Sequence, residues 1–417
     1  MKKAVKYRSS AMVLFIILLC ILFLTKCINN QKDNADKAIV SNYKKYAGAA
    51  SCVSCHKEIS NSHLNTAHFH TSEIASEKNI KGNFDEGKNT FLFNNGGLIA
   101  MQKINDEFFQ AGFEKGNEIK REKFDIVIGS GTKGQTCLSW VGTQLVQLPI
   151  TYFTEGNQWC NSPGYPDKIS FNRPITSRCL ECHMTYAEKL SEPMAEPVAI
   201  DKSKMIMGVT CEKCHGPAQQ HVDFQTQHPK ETKAAFIINP AKLTRQQSLD
   251  MCALCHGGRL QKTKPSFEFT AGNKLTDYFK IDSVSQDAAS IDVHGNQYGL
   301  LAASKCFKVS NTLTCNTCHN SHEKQTGNTA LFSQKCTTCH NSKHQDAVIC
   351  KMTASIGSKI NEHCTACHMP QKPSMAIAVL LQGSLTPTPA LMHTHFIKAY
   401  PEETQKVLAY IKNKSPH

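Results

Sequence analysis

The chain has 417 residues, enough for two or three ordinary domains. Only 40% of them are hydrophobic and 8% aromatic, a lean supply for a side-chain core of that size, while 20 are cysteine. A formal charge of +13 raises nucleic-acid binding, which the cysteine pattern below excludes by giving the basic residues another task.

Residues 1–26 read as a targeting segment. A basic start, MKKAVKYR, precedes a fourteen-residue apolar run from Ala11 to Leu24. That run suits a signal peptide and is short of the ~20 residues of a membrane span. Cys27 follows in LTKC, which resembles a lipoprotein cleavage box and marks Cys27 as the lipidation candidate. Leu24 and Thr25 suit the box and Lys26 does not, so an uncleaved N-terminal anchor stands beside the lipoprotein reading. Either puts the body outside the cytoplasm, in the periplasm or cell envelope. Residues 27–50, with the run INNQKDNADK, read as a polar tether.

At Cys52 begins the first of seven copies of one pattern, Cys-x-x-Cys-His. They are CVSCH (Cys52, Cys55, His56), CLECH (Cys179, Cys182, His183), CEKCH (Cys211, Cys214, His215) and CALCH (Cys252, Cys255, His256). CNTCH (Cys315, Cys318, His319), CTTCH (Cys336, Cys339, His340) and CTACH (Cys364, Cys367, His368) complete the set. The pattern is the attachment site of c-type haem. Two thiols add to the haem vinyl groups and the adjacent His becomes the proximal iron ligand. Zinc would need the pairs to combine in twos, and seven is odd; it also leaves the invariable His unexplained. Seven covalent haems per chain are therefore expected. They supply the missing core and account for the charge. Residues 1–26 hold Lys2, Lys3, Lys6, Arg8 and Lys26 with no acid, so a chain from Cys27 carries +8. Fourteen propionates then bring the holo protein to about −6 when reduced and about +1 when oxidised.

The motifs are unevenly spread. From His56 to Cys179 there are 122 residues, and the later gaps are 27, 36, 58, 16 and 23. The long gap, residues 84–175, reads as a β-rich insert. Phe124–Gly131, Thr136–Gly142 and Leu145–Phe153 are rich in β-branched and aromatic residues and bounded by Gly. Asn89–Ile104 resembles a hairpin turning at Asn95, Gly96 and Gly97. A small antiparallel sheet over Phe84–Phe153 is expected, then a loop through Trp159, Pro163 and Pro166. The fold class is thus a multihaem cytochrome c, with short helices and loops wrapped around covalent haems and a β insert between the first two. Residues 51–400 form that domain, and residues 401–417 a C-terminal amphipathic helix.

Nineteen His less seven proximal ones leaves twelve, enough for a second imidazole on every iron. His63, His70, His228, His363 and His417 are spare along with the stronger candidates below. His221, His322 and His344 closely follow a motif. A His three residues beyond the proximal one leaves the same porphyrin face, so His322 is expected to ligate a neighbouring haem. Met184, Met205, Met207 and Met369 have a weaker claim. Outside the motifs, Cys20 falls in the targeting segment, while Cys137 with Cys160, and Cys306 with Cys350, are candidate disulfides.

GVTCEKCHGPAQQHV, HGNQYGLLAASKCF with LTCNTCHNSH, and CTACHMP with the later HTHF resemble multihaem cytochromes of the cytochrome c-554/c-prime-like superfamily. SCVSCHKE with NTAHFH, and QLPITYF with SPGY and RCLECH, share the likeness, which spans about Ser51–Phe396. That superfamily holds electron carriers and enzymes, pentahaem nitrite reductase and octahaem hydroxylamine oxidoreductase among them. The resemblance implies His68, His221, His294 and His322 as distal ligands, with His393 or His395 for another. The Cys-x-x-Cys-Lys haem site common in such nitrite reductases does not occur here. The leading expectation is therefore an electron-transfer protein. Its partners would be redox proteins: quinol oxidase modules, other cytochromes or a terminal reductase. The alternative is a haem oxidoreductase acting on nitrite, hydroxylamine or tetrathionate at one open haem; no catalytic residue is singled out for it.

Overall fold

A computed structural model describes residues 41–281, 287–341 and 349–414. The targeting segment, Cys20, Cys27, most of the tether, His344 and His417 lie outside the described residues. Residues from Tyr43 onward form one compact unit.

Ten strands lie between the first motif and the second. In chain order they are β1 (Ser72–Ile74), β2 (Thr90–Leu92), β3 (Leu98–Ile104), β4 (Glu107–Glu114), β5 (Asn117–Lys123), β6 (Ile126–Ile128), β7 (Gly134–Val141), β8 (Gln144–Phe153), β9 (Gln158–Asn161) and β10 (Arg173–Pro174). They make two antiparallel sheets rather than the one expected. The first runs β2-β3-β4-β5; the second runs β1-β6-β7-β8-β10, with β9 also on β8. Trp159, expected in a loop, sits on β9 and pairs with Tyr152.

The two sheets share a core. Phe91, Ile99, Met101 and Phe108 of the first meet Leu148, Ile150, Phe153 and Trp159 of the second. Gln110 of β4 is fully buried and satisfies both its functions on one residue of β8. It donates to Ile150 O at 2.7 Å and accepts from Ile150 N at 3.0 Å. A buried amide so paired fixes the register between sheets, because a slip would leave both its groups unsatisfied. Trp159 donates Nε1–H to Asn83 O at 2.6 Å. Its indole lies where any side chain at Gly82 would have to be, 1.9 Å from a Cβ placed there.

The same topology removes one candidate disulfide. Thr151 of β8 pairs with Thr136 of β7 on one side and with Cys160 of β9 on the other. Cys137 and Cys160 therefore lie on strands separated by β8, about 10 Å apart across a sheet. That exceeds the reach of a disulfide. Both are free buried thiols, pushed up in pKa by burial. Cys306 and Cys350 are free thiols as well.

The motif-rich part contains hairpins besides short helices. These are β11 (Met184–Lys189) with β12 (Ile200–Met207), β13 (Leu260–Lys262) with β14 (Phe279–Ile281), and β15 (Gln371–Val379) with β16 (Thr388–His393). The helices Ser177–His183, Cys211–His215, Arg245–His256 and Cys364–His368 carry motifs. Arg245–His256 starts on a capping box, with Thr244 accepting from Gln247 N and the Gln247 side chain accepting from Thr244 N. The tail is a helix, Pro401–Lys414.

Candidate haem-ligand cluster

The segment after the first motif is laced to the second and third motifs through backbone. Val209 N donates to His68 O at 2.9 Å, and Gly208 N to Ser72 Oγ at 2.9 Å. Thr71 and Ser72 hydroxyls both donate to His183 O, at 2.9 and 2.7 Å. Gly208 makes this approach work. Its φ is +69°, and a Cβ there would lie 2.1 Å from Phe69 O. Gly208→Ala should therefore cost about 3 kcal/mol or more, read as a lowered unfolding midpoint. An unchanged midpoint would mean the lacing is loose.

This lacing delivers His68 to the fourth motif. Its ring centroid lies 6.2 Å from that of His256. Two more motif histidines meet a distant histidine in the same way: His215 faces His322 at 6.1 Å, and His319 faces His395 at 6.1 Å. His294 lies close enough to His183 to disfavour its protonation, and His256 does the same to His294. Imidazole nitrogens about 2 Å either side of a metal put ring centroids about 6 Å apart.

The electrostatics match. Burial, with neighbouring imidazoles, lowers His68, His183 and His395 to about 4. Burial also lowers His215, His256, His294, His319 and His322. Neutral imidazole is the ligating form. The Nδ1 atoms of His183 and His395 are buried without a hydrogen-bond partner, a costly state for an isolated side chain.

Hydrogen bonds also set ring tautomers. His215 Nδ1 donates to Ile238 O at 3.0 Å and His221 Nδ1 to Ala235 O at 2.8 Å. His393 Nδ1 donates to Met369 O at 2.6 Å. His256 Nδ1 faces Gln297 Oε1 at 3.2 Å, and the amide of Gln297 is oriented by donating to Val293 O. Each arrangement leaves Nε2 as the lone-pair nitrogen, as metal-ligating histidines require. His63 differs: Nε2 sits 3.0 Å from Val209 O and Nδ1 3.3 Å from Ser321 O, so both nitrogens are engaged by backbone. Among the described residues no three or more His, Cys, Asp or Glu form a group able to hold a metal ion by themselves. Opposed imidazole pairs with adjacent cysteine pairs thus fit haem, which brings its own four nitrogens.

His68, His322 and His395 each face the ring of a motif histidine, and His294 lies near His183 and His256. His221 and His393 each hold a backbone carbonyl through Nδ1, and His56 is exposed. Supporting residues escaped the sequence reading. Asp292 accepts from His294 N, Ser374 Oγ and Ala376 N at 2.6, 3.0 and 3.1 Å, tying the His294 loop to β15. Buried Glu212, inside the third motif, accepts from Ala47 N, Gly48 N and Ala218 N at 2.8, 2.9 and 2.9 Å. Of the four candidate methionines, Met184 is fully buried, Met205 and Met207 pack against the same apolar cluster, and Met369 meets His393 through its backbone carbonyl.

A family model described as cytochrome c554 and c-prime matches residues 166–216, the stretch that holds the second and third motifs. No curated protein matches the chain. Among solved structures the chain is similar to the outer cell wall cytochrome OcwA, at 17% identity and a TM-score of 0.53, over 87% of this chain and 81% of that one. It is also similar to the undecaheme cytochrome from the S-layer of Carboxydothermus ferrireducens, at 15% identity and a TM-score of 0.39, over 89% of this chain and 54% of that one. Motifs and histidine geometry fit a multihaem cytochrome: residues 166–216 resemble cytochrome c554 and c-prime, and the fold is like that of OcwA.

Proposed function

We propose that this chain is a seven-haem c-type cytochrome of the cell envelope that passes single electrons between redox partners. The observation that carries the reading is the meeting of motif histidines with distal histidines as facing rings about 6 Å apart, with the surrounding protein disfavouring their charged forms. When bound, haem iron supplies one-electron ferric–ferrous chemistry. The fourteen motif cysteines would hold the porphyrins as thioethers, with the seven motif histidines as proximal ligands. His68 would complete the iron of His256, His322 that of His215, His395 that of His319 and His294 that of His183. His221, His344 and His393 remain candidates for the other sites. Nδ1 hydrogen bonds would orient the imidazoles of His215 and His256, and the surrounding protein would disfavour their charged forms. With both faces held, such a site leaves no room for a small substrate.

An extracytoplasmic location follows from covalent haem attachment and the targeting segment, with Cys27 as lipid site, and is supported by the outer cell wall position stated in the name of OcwA. Partners would be redox proteins: quinol oxidase modules, other cytochromes or a terminal reductase.

A pyridine haemochrome assay should return seven haems per chain, retained on denaturation. The ferric spectrum should be low-spin, and the reduced protein should bind carbon monoxide poorly. Clearly fewer haems would sink the count. A high-spin haem together with turnover of nitrite or hydroxylamine would overturn the carrier reading in favour of the oxidoreductase.

A further inference from the structure

Between the two sheets of the insert lies a cavity of about 570 Å³ that no motif cysteine or histidine lines. Thr90 of β2 lines it from the first sheet, and Tyr152 of β8 with Gln158 and Trp159 of β9 from the second. Asn83, Lys88 and Gln382 line it from the loops around them. Its volume falls within the ~300–1,000 Å³ of small-molecule sites.

The aromatic residues form a fixed floor. Tyr152 and Trp159 are only 8% and 3% exposed and meet edge to face, with ring centroids 5.8 Å apart. Trp159 is held by its hydrogen bond to Asn83 O. Their faces are therefore spent on the core, and the polar side chains are what a ligand meets.

The amides of those side chains are oriented by the protein. Asn83 Oδ1 accepts from Asp85 N at 2.6 Å, and Gln382 Oε1 from Leu92 N at 3.2 Å. A backbone N–H can only donate, so each amide must turn its oxygen to the protein and keep its NH2 group for the cavity. Asn157 does the same, its Oδ1 accepting from Tyr152 Oη at 2.6 Å. Gln158 is turned the other way: its Nε2 lies 3.5 Å from Gly156 O, which leaves Oε1 as an acceptor. Lys88 adds an ammonium group. Lys103, Lys123 and Lys133 of the same insert each hold a carboxylate, whereas among the described residues Lys88 has no such partner. No carboxylate lines the cavity; Asp85 and Glu86 are exposed beside it and are not part of its wall.

We infer that this cavity binds an anionic sugar, a ring that carries a carboxylate or phosphate among its hydroxyls. Three NH2 groups and one ammonium group offer donors to a single anionic head, the charge-assisted arrangement that makes the stronger hydrogen bonds. Gln158 Oε1 and the Thr90 hydroxyl are left to receive ring hydroxyls, which an inorganic anion does not possess. The space also far exceeds that of an inorganic anion, since a water molecule takes up only about 30 Å³. A free sugar acid and a unit of an acidic polysaccharide present the same chemistry, and the test separates them. The inference does not depend on the electron-carrier reading, because the sheets that build the cavity hold no haem motif.

Isothermal titration of the full-length holo protein tests the site, with galacturonate, oligogalacturonate and glucose 1-phosphate as ligands and cellobiose and inorganic phosphate as controls. At least one charged sugar should bind at one site per chain, about tenfold or more tighter than either control, and more weakly as salt is raised. Lys88→Ala and Gln382→Ala should each weaken binding by about tenfold, and Lys88→Arg should restore most of it. Both positions are exposed, so the haem spectrum and unfolding midpoint of the variants should match those of the unaltered protein. Affinity that rises from galacturonate to the oligomer assigns the ligand to a polysaccharide; affinity already complete with a single ring assigns it to a free sugar. No binding of any charged sugar at millimolar concentration, cellobiose or phosphate binding as tightly as the charged sugars, or undiminished binding by both alanine variants overturns the inference.

Discussion

His68→Ala should convert one low-spin haem to high-spin and open it to carbon monoxide on reduction. The ring of His68 lies 6.2 Å from that of His256 with its protonation disfavoured by burial, and an iron between the two would make use of that neutral pair. Alanine leaves the backbone lacing intact, since Val209 N and Thr71 Oγ1 both bind His68 through its carbonyl. The effect should therefore fall on the ligand and not on the fold. Loss of one strong-field imidazole should also raise the potential of that haem. His322→Ala should do the same for the haem of His215, whose ring it faces at 6.1 Å. His63→Ala is the discriminating control. His63 sits beside the same loop, 6.4 Å from His322, but its two nitrogens are taken by Val209 O and Ser321 O. That substitution should cost about 1–3 kcal/mol through the stranded carbonyls and leave the spin state unchanged. Optical and paramagnetic resonance spectra of the three ferric variants decide the matter. A low-spin His68→Ala, or a high-spin His63→Ala, would exchange their assignments.

The contrast between His63 and His68 also marks where sequence stops being informative. The motifs are legible because a covalent bond needs fixed residue types at fixed spacing, whatever the fold. The apolar strands around Phe124–Gly131 and Leu145–Phe153 are legible because they are buried on both faces and read as continuous β-branched runs. β5, with sequence NEIKREK, is exposed or half-buried throughout and carries no alternation; only pairing with β4 makes it a strand. β15 and β16 contain Pro373 and Pro389, which argue against strands when read locally. Trp159 reads as loop because its strand is only four residues long and depends on Tyr152 across the sheet. Histidine partners are harder still. His68 and His256 meet because Gly208 lets two backbone segments touch, and nothing near either histidine encodes that approach. The likeness to known cytochromes picked out His68, His221, His294 and His322 together, but spacing alone could not separate a ring facing another imidazole from one held by a backbone carbonyl.

Produced without haem attachment, the chain should keep its β-sheets and lose most of the rest. The reason lies in where apolar side chains gather. The two sheets between the first and second motifs share one large aromatic and aliphatic core, from Phe91 and Phe93 to Trp159 and Phe171. Beyond the third motif Val379 and Ala390 join that core, and among the described residues the other buried apolar clusters there are small, one around Leu254, Leu275 and Phe279, another around Leu249, Leu301 and Phe307. Such clusters bury too little to offset the ordering of more than a hundred residues, at about 1–2 kcal/mol of backbone entropy for each. In the holo protein the porphyrin faces fill that role, and metal-dependent segments of this kind lose order without their cofactor. The orphaned Nδ1 atoms of His183 and His395 point the same way, since a buried imidazole with no partner is a liability once no iron balances it. Hydrogen exchange on haem-free protein should show slow amides in β3, β4, β7 and β8, with opening free energies of several kcal/mol, and rapid exchange across residues 211–368. Holo protein should be slow in both. Equal protection of both regions in the haem-free chain would show that side chains alone hold the motif-rich part together. Loss of protection in β7 and β8 as well would show that the sheets themselves lean on the haems.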